Sequence, residues 1–160
     1  MLWLGTYLAA TPGLRLLDNA TVKLDAENEV QPDAALCVAK SGQTEVIDNY
    51  LHGAPELVVE IASSSAAYDL HEKLRVYRRT GVLEYVIFLT LEQETLWFRL
   101  NEGRYDEVSP DDAGIIRSRT FPGLHLHPEK FWADDLAGLL ETLQLGTNSL
   151  EHAAFEASLA

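Results

Sequence analysis

Glu60 interrupts the apolar run Leu57-Val58-Val59-Glu60-Ile61-Ala62. The run has the length and β-branched content of a buried strand, and an ionised carboxylate in such a strand is costly unless it is paired, hydrogen-bonded or bound to a cation. Asp33 is a second acid beside an apolar segment, Ala34-Ala35-Leu36-Cys37-Val38-Ala39. Two such strands lying side by side present two carboxylates to one divalent cation, and oxygen ligands suit Mg²⁺ or Mn²⁺. Lys73 follows Glu60 by one loop and about two helical turns, on a helix that packs back across the Glu60 strand. Two acids, a lysine and a metal are what phosphodiester hydrolysis uses: the cation polarises the phosphate and acidifies the attacking water, and the ammonium stabilises developing negative charge or orients that water. Each residue also has a plainer reading. Glu60 at a strand end reaches solvent or an arginine, and Lys73 pairs with Asp69 at i, i+4 on a helix surface. A glycosidase with Asp33 and Glu60 as its carboxylate pair gains nothing from Lys73.

Three further residues support this constellation. Ser63 follows the acid and is placed to hydrogen-bond the carboxylate or a phosphate, or else to cap the next helix. Asp69 lies one turn before Lys73 and Tyr77 one turn after it, Tyr77 also falling on the Leu70-Leu74 apolar stripe as a core residue. His125 and His127 alternate along one strand face but lack a third ligand nearby, so they read as surface residues and not as zinc ligands. No glycine-rich phosphate loop, no GxSxG elbow and no Ser-His-Asp set is present.

The elements that must position these residues can be read from periodicity and breakers. A helix from Met1 to about Ala10 ends at Thr11-Pro12-Gly13. Leu14–Leu17 and Ala20–Leu24 flank Asp18-Asn19 as a hairpin candidate. Pro32 stands at the mouth of the strand that follows Asp33. Residues 40–55 read as a loop. Ser63-Ser64-Ser65 offer N-caps for a helix with Leu70, Leu74 and Tyr77 at i, i+4 and i+7, stopped by Gly81. Tyr85-Val86-Ile87-Phe88-Leu89 is the next strand, which makes strand, helix and strand a parallel, right-handed crossover. Thr95–Leu100 and Tyr105–Val108 form a hairpin, with Ile115-Ile116 as a further strand, all at the sheet edge. Pro128 opens a single helix over PEKFWADDLAGLLETLQLG, and from Thr147 the chain is a weak helix or frayed tail.

A chain of 160 residues fits one domain and buries roughly 70% of its unfolded surface. Its 47% hydrophobic and 23% charged content is that of a globular protein with no membrane span. MLWLGTYLAATPG has no basic residue ahead of its apolar segment and so is read as the first helix, not a secretory signal. The lone Cys37 excludes an internal disulfide and reads as a buried thiol of a cytoplasmic protein. With 12 basic and 25 acidic residues the net charge is −13, which repels nucleic acid at long range and counts against a general DNA-binding protein. The charge is uneven: Lys73, Arg75, Arg78 and Arg79 make a local basic stretch, whereas from Pro128 onward Lys130 faces six acids.

Taken together, QPDAAL, GAPELVVEIASSS, YDLHEKLRVYRRTGVLEYVIF and GRYDEVSPDDAGIIRSRTFPGLHL resemble the bacterial "putative restriction endonuclease" (Uma) family of the PD-(D/E)XK nuclease superfamily, over about Asn28 to Phe131. The specificity lies in the order of motifs: PD opening one strand, VVE closing the next, and D-x-x-x-K-x-x-x-Y leading into GV-x-EY. The resemblance implies an α/β (α+β) restriction-endonuclease-like core, a mixed central sheet flanked by helices, in one domain over 1–145 with a tail over 146–160. It implies metal-dependent DNA cleavage with Asp33 and Glu60 as the ligands of Mg²⁺ or Mn²⁺ and, given how duplex-cutting enzymes work, a homodimer. The superfamily lysine two residues after the second acid is replaced here by Ala62, and the resemblance moves that role onto the following helix, to Lys73. Where the family tends to have tryptophan and a D-P turn after GV-x-EY, this chain has Val86 and Phe88-Leu89-Thr90, an edge-strand repacking. Family members carry a longer N-terminal region whose helix contributes a further glutamate, whereas this chain reaches QPD after 30 residues with no acid before Asp18. That departure and the acidity favour the second reading, a nuclease fold kept without catalysis as a binding or assembly module.

Overall fold

The computed structural model describes residues 1–64 and 68–159, and within these the side chains of residues 68–70 are not described. It forms two compact units, one of Arg15–Val108 and one of Met1–Leu14 with Ser109–Ala160.

The Arg15–Val108 unit is built on a six-stranded mixed sheet. Its strands are β1 (Leu14–Asp18), β4 (Ala34–Val38), β7 (Leu57–Ala62), β8 (Glu84–Leu89), β9 (Glu94–Asn101) and β10 (Arg104–Glu107), adjacent in that order. β4 runs antiparallel to β7, β7 parallel to β8, and β9 antiparallel to both β8 and β10. The parallel pair is joined by α2 (Tyr68–Thr80), the crossover that two parallel strands require. β7 and β8 are central and buried on both faces, which is why they read as continuous apolar runs. On one side of the sheet Val58, Tyr77, Tyr85, Ile87 and Leu89 pack into a single cluster with Cys37 and Val82, and Leu74 and Val76 of α2 cover it. Gly81 (φ 94°) ends α2 in the left-handed conformation that its missing Cβ permits.

A second, four-stranded sheet of β3 (Glu29–Val30), β2 (Val22–Lys23), β6 (Tyr50–His52) and β5 (Glu45–Ile47) corrects two expectations. Leu14–Leu17 and Ala20–Leu24 are not a hairpin. The chain turns at Asn19 (φ 51°), whose N–H is taken by the Asp33 carbonyl, so that β1 joins the large sheet while Val22 is buried between β3 and β6 in the small one. Residues 40–55 are likewise not all loop: β5 and β6 form a two-residue hairpin in which Asp48 and Asn49 both have positive φ, as a type I′ turn demands.

In the other unit, α1 (Leu2–Ala10) buries Trp3, Leu4 and Tyr7. Trp3 Nε1 and Tyr7 O–H donate to the carbonyls of His125 and Pro122. Here β11 (Ile116–Arg117) pairs with β12 (His125–Leu126), so the strand expected at Ile115-Ile116 does not extend the edge of the large sheet. The expected long helix is two, α3 (Pro128–Trp132) and α4 (Leu136–Thr147). The chain breaks at Asp134 (φ 55°), and Asp135 restarts it by accepting from the Gly138 N–H at 2.9 Å. From Thr147 onward the segment holds α5 (Leu150–Ser158), capped by the Ser149 hydroxyl. No helix among the described residues is long and apolar enough to cross a membrane.

Candidate active site

The ladder between β4 and β7 pairs Ala34 with Val59, so one step further sets Asp33 across from Glu60. Asp33 sits where β4 begins, and its Oδ2 accepts from the Ile61 N–H at 2.7 Å. The first acid is thereby fastened to the strand that carries the second. Glu60 is 4% exposed. Its Oε1 accepts from the Tyr77 hydroxyl at 2.8 Å and its Oε2 from the Lys73 ammonium at 3.0 Å. Both donors come from one face of α2, since residues four apart in a helix stand one above the other. Lys73 is thus directed at Glu60 and keeps 26% of its side chain exposed, which leaves the ammonium a route to solvent or a ligand.

Burial pushes the Glu60 carboxyl above its ordinary value. The hydrogen bonds from Tyr77 and Lys73 and the Lys73 charge pull it back down, and neighbouring Asp33 adds to the rise. Tyr77 is fully buried, packs edge-on against Tyr85 with ring centroids 4.9 Å apart, and is at once a core residue and a member of the site. Ser63 is exposed just past β7, its carbonyl taken by the Leu91 N–H. α2 is described from Tyr68, and the chain leading into it, Ser65 included, lies outside the described residues together with the side chains of Asp69 and Leu70, so the expected serine cap falls there too.

Asp33 and Glu60 bring two oxygen donors of the kind that small divalent cations take to neighbouring strands. Among the described residues no group of three or more His, Cys, Asp or Glu is placed to hold a metal. Mg²⁺, however, is commonly held by one or two carboxylates together with water and substrate phosphate, and Asp33 and Glu60 supply two. His125 and His127 sit in the other unit and are half-buried, not surface residues, and burial lowers the His125 pKa.

Two buried acids escaped the sequence reading. Glu56, immediately before β7, accepts from the Val38 and Gln43 N–H groups. Glu84, which opens β8, accepts from Trp97 Nε1 at 3.1 Å and pairs with Arg99 at 3.5 Å. They lie side by side, the Glu84 N–H donating to the Glu56 carbonyl, about 13 Å from Glu60 by strand rise. Their donors tie the 38–43 segment to the start of β7 and β8 to β9. In sequence Glu56 shows only as the E-x-x-x-E spacing to Glu60, which puts both on one side of a strand, and Glu84 only as the acid of GV-x-EY.

Residues 1–129 match the family model described as "Uma2: Putative restriction endonuclease". The fold is similar to the crystal structure of a "putative nuclease belonging to DUF820" from Anabaena variabilis ATCC 29413, with a TM-score of 0.63 at 13% identity over 82% of this chain and 75% of that one. None of the curated proteins matches the chain.

Proposed function

Because this chain belongs to the Uma2 family, described as putative restriction endonucleases, we propose that it is a divalent-metal-dependent endonuclease that hydrolyses DNA phosphodiester bonds. One observation carries the proposal: a buried glutamate, fastened by Lys73 and Tyr77, stands across from an aspartate at the mouth of the neighbouring strand. Asp33 and Glu60 would hold Mg²⁺ or Mn²⁺, which when bound supplies Lewis acidity toward the phosphate and a more acidic water. The other roles fall to the chain's own groups. Tyr77 holds Glu60 Oε1 so that the carboxylate keeps one orientation. Lys73, partly exposed beside Oε2, would orient the attacking water and offset the charge that builds on the phosphate oxygens. Ser63, exposed just past β7, would donate to a phosphate oxygen, and Asp69, whose side chain lies outside the described residues, keeps the supporting role that its place one turn before Lys73 in the sequence suggests. A cytoplasmic homodimer, one site per strand, is the assembly we attach to this reading.

A second reading rests on the same geometry. Both oxygens of Glu60 already have protein donors, so the arrangement also satisfies itself as part of a binding module without catalysis. The test is cleavage of plasmid DNA in Mg²⁺ or Mn²⁺. Asp33→Ala, Glu60→Ala and Lys73→Ala should each abolish it while circular dichroism stays that of the wild type. Cleavage that continues in excess chelator refutes the metal-dependent reading. Absence of Mn²⁺ binding at millimolar concentration in calorimetry decides for the module.

A further inference from the structure

The outer face of α2 carries a feature that the carboxylate site does not use. A groove of about 440 Å³ is lined by Arg75, Val76, Arg78, Arg79 and Gly103. Three of its five lining residues are arginines, all exposed, and none is an acid, on a chain whose net charge is −13. Arg79 lies 3.8 Å from Asp25, a contact too open to solvent at 63% side-chain exposure to hold it. Arg78 and Arg79 gain something from the C-terminal end of the helix, where cations are favoured. That does not account for Arg75 a turn earlier, which stands three and four residues from the other two, where like charges repel. An anion seated among them turns that repulsion into attraction, and the guanidinium fork matches phosphate with two parallel hydrogen bonds. Gly103 also lines the groove, with open space where a Cβ would point, so a backbone can approach there without a side chain in the way.

We propose that this groove binds the sugar-phosphate backbone of duplex DNA at phosphates away from the bond being cut. The choice of DNA rests on the nuclease reading above. Helical geometry sets the offset. Lys73 and Tyr77 face Glu60, and at about 100° per residue Arg75, Arg78 and Arg79 lie roughly 140–240° around the helix from Lys73. A helix about 10–12 Å across then separates groove and carboxylates, a span of about three or four phosphates at the 3.4 Å spacing along one strand. The acidity of the rest of the chain does not forbid this, because at physiological salt charges beyond about 8 Å are largely screened.

The test is fluorescence anisotropy of a labelled duplex of roughly two helical turns, in chelator so that nothing is cut, between about 50 and 200 mM salt. The slope of log K against log salt should fall by about 2–3 in the variant R75Q/R78Q/R79Q and by about 1 in Arg75→Gln. Lys40→Gln, at an exposed cation outside the groove, should leave it unchanged. Glutamine keeps nearly the helix propensity of arginine, and the single variant gives the same readout should the triple one not fold. A triple-variant slope within about 0.5 of wild type, or wild-type protein that does not bind the duplex, overturns the inference. Binding with the expected slopes but no cleavage in Mg²⁺ would instead count against the nuclease reading and leave the groove standing.

Discussion

Replacing Tyr77 by phenylalanine removes one oxygen from a fully buried ring and leaves its edge-on contact with Tyr85 in place. Packing changes little. What is lost is the 2.8 Å hydrogen bond to Glu60 Oε1, a carboxylate that is only 4% exposed. A hydrogen bond to a charged group contributes about 1.5–3 kcal/mol, so Tyr77→Phe should destabilise the fold by that amount near neutral pH and lower the melting temperature by roughly 3–12 °C for a chain of this size. The pH dependence gives the origin of the loss. The bond favours ionised Glu60 and so pulls its pKa down, against the burial that raises it above 4.5. Its contribution is therefore complete above the Glu60 pKa and shrinks as pH falls through it, so the gap between wild type and variant should narrow to about 1 kcal/mol, the worth of a neutral hydrogen bond. Tyr105→Phe is the control: its hydroxyl donates to the neutral Val82 carbonyl at 2.9 Å, and its loss should cost about 1 kcal/mol at every pH. Urea titrations across pH measure both. A Tyr77→Phe cost under about 0.5 kcal/mol, or one flat with pH, refutes the claim that this hydroxyl holds an ionised glutamate.

The Glu84–Arg99 pair between β8 and β9 behaves differently. Glu84 is fully buried against Arg99, so Arg99→Met should cost about 3–5 kcal/mol in urea unfolding by removing one partner of the pair, and a cost under about 1 kcal/mol would show that the pair does not hold these strands. Burial pushes the Cys37 thiol up to about 12, so at pH 8 it should react with a disulfide reagent only on unfolding. Stoichiometric labelling of native protein within minutes would contradict that.

The strand-helix-strand unit that carries Glu60, Lys73 and Tyr77 was legible in the sequence because its signals are local: two apolar runs, a stripe at i, i+4 and i+7, and a glycine stop. The hairpin at β9 and β10 followed from the same kind of signal. The acids stood out because a carboxylate in an apolar run is a contradiction that something must resolve. Tertiary structure decided what resolves it. That Asp33 lies across from Glu60 is a matter of register between strands 20 or more residues apart, which no local pattern encodes. That β1 and β2 part at Asn19 into different sheets depends on what each strand finds to pair with. Tyr77 stood out both on the apolar stripe and as a supporting residue one turn after Lys73, but that its hydroxyl donates to Glu60 emerged only once α2 was laid over β7. Composition determined that the chain is globular and strongly acidic. Folding determined that its arginines at positions 75, 78 and 79 share one acid-free groove, because helical periodicity turns a run of mixed sequence into separate faces.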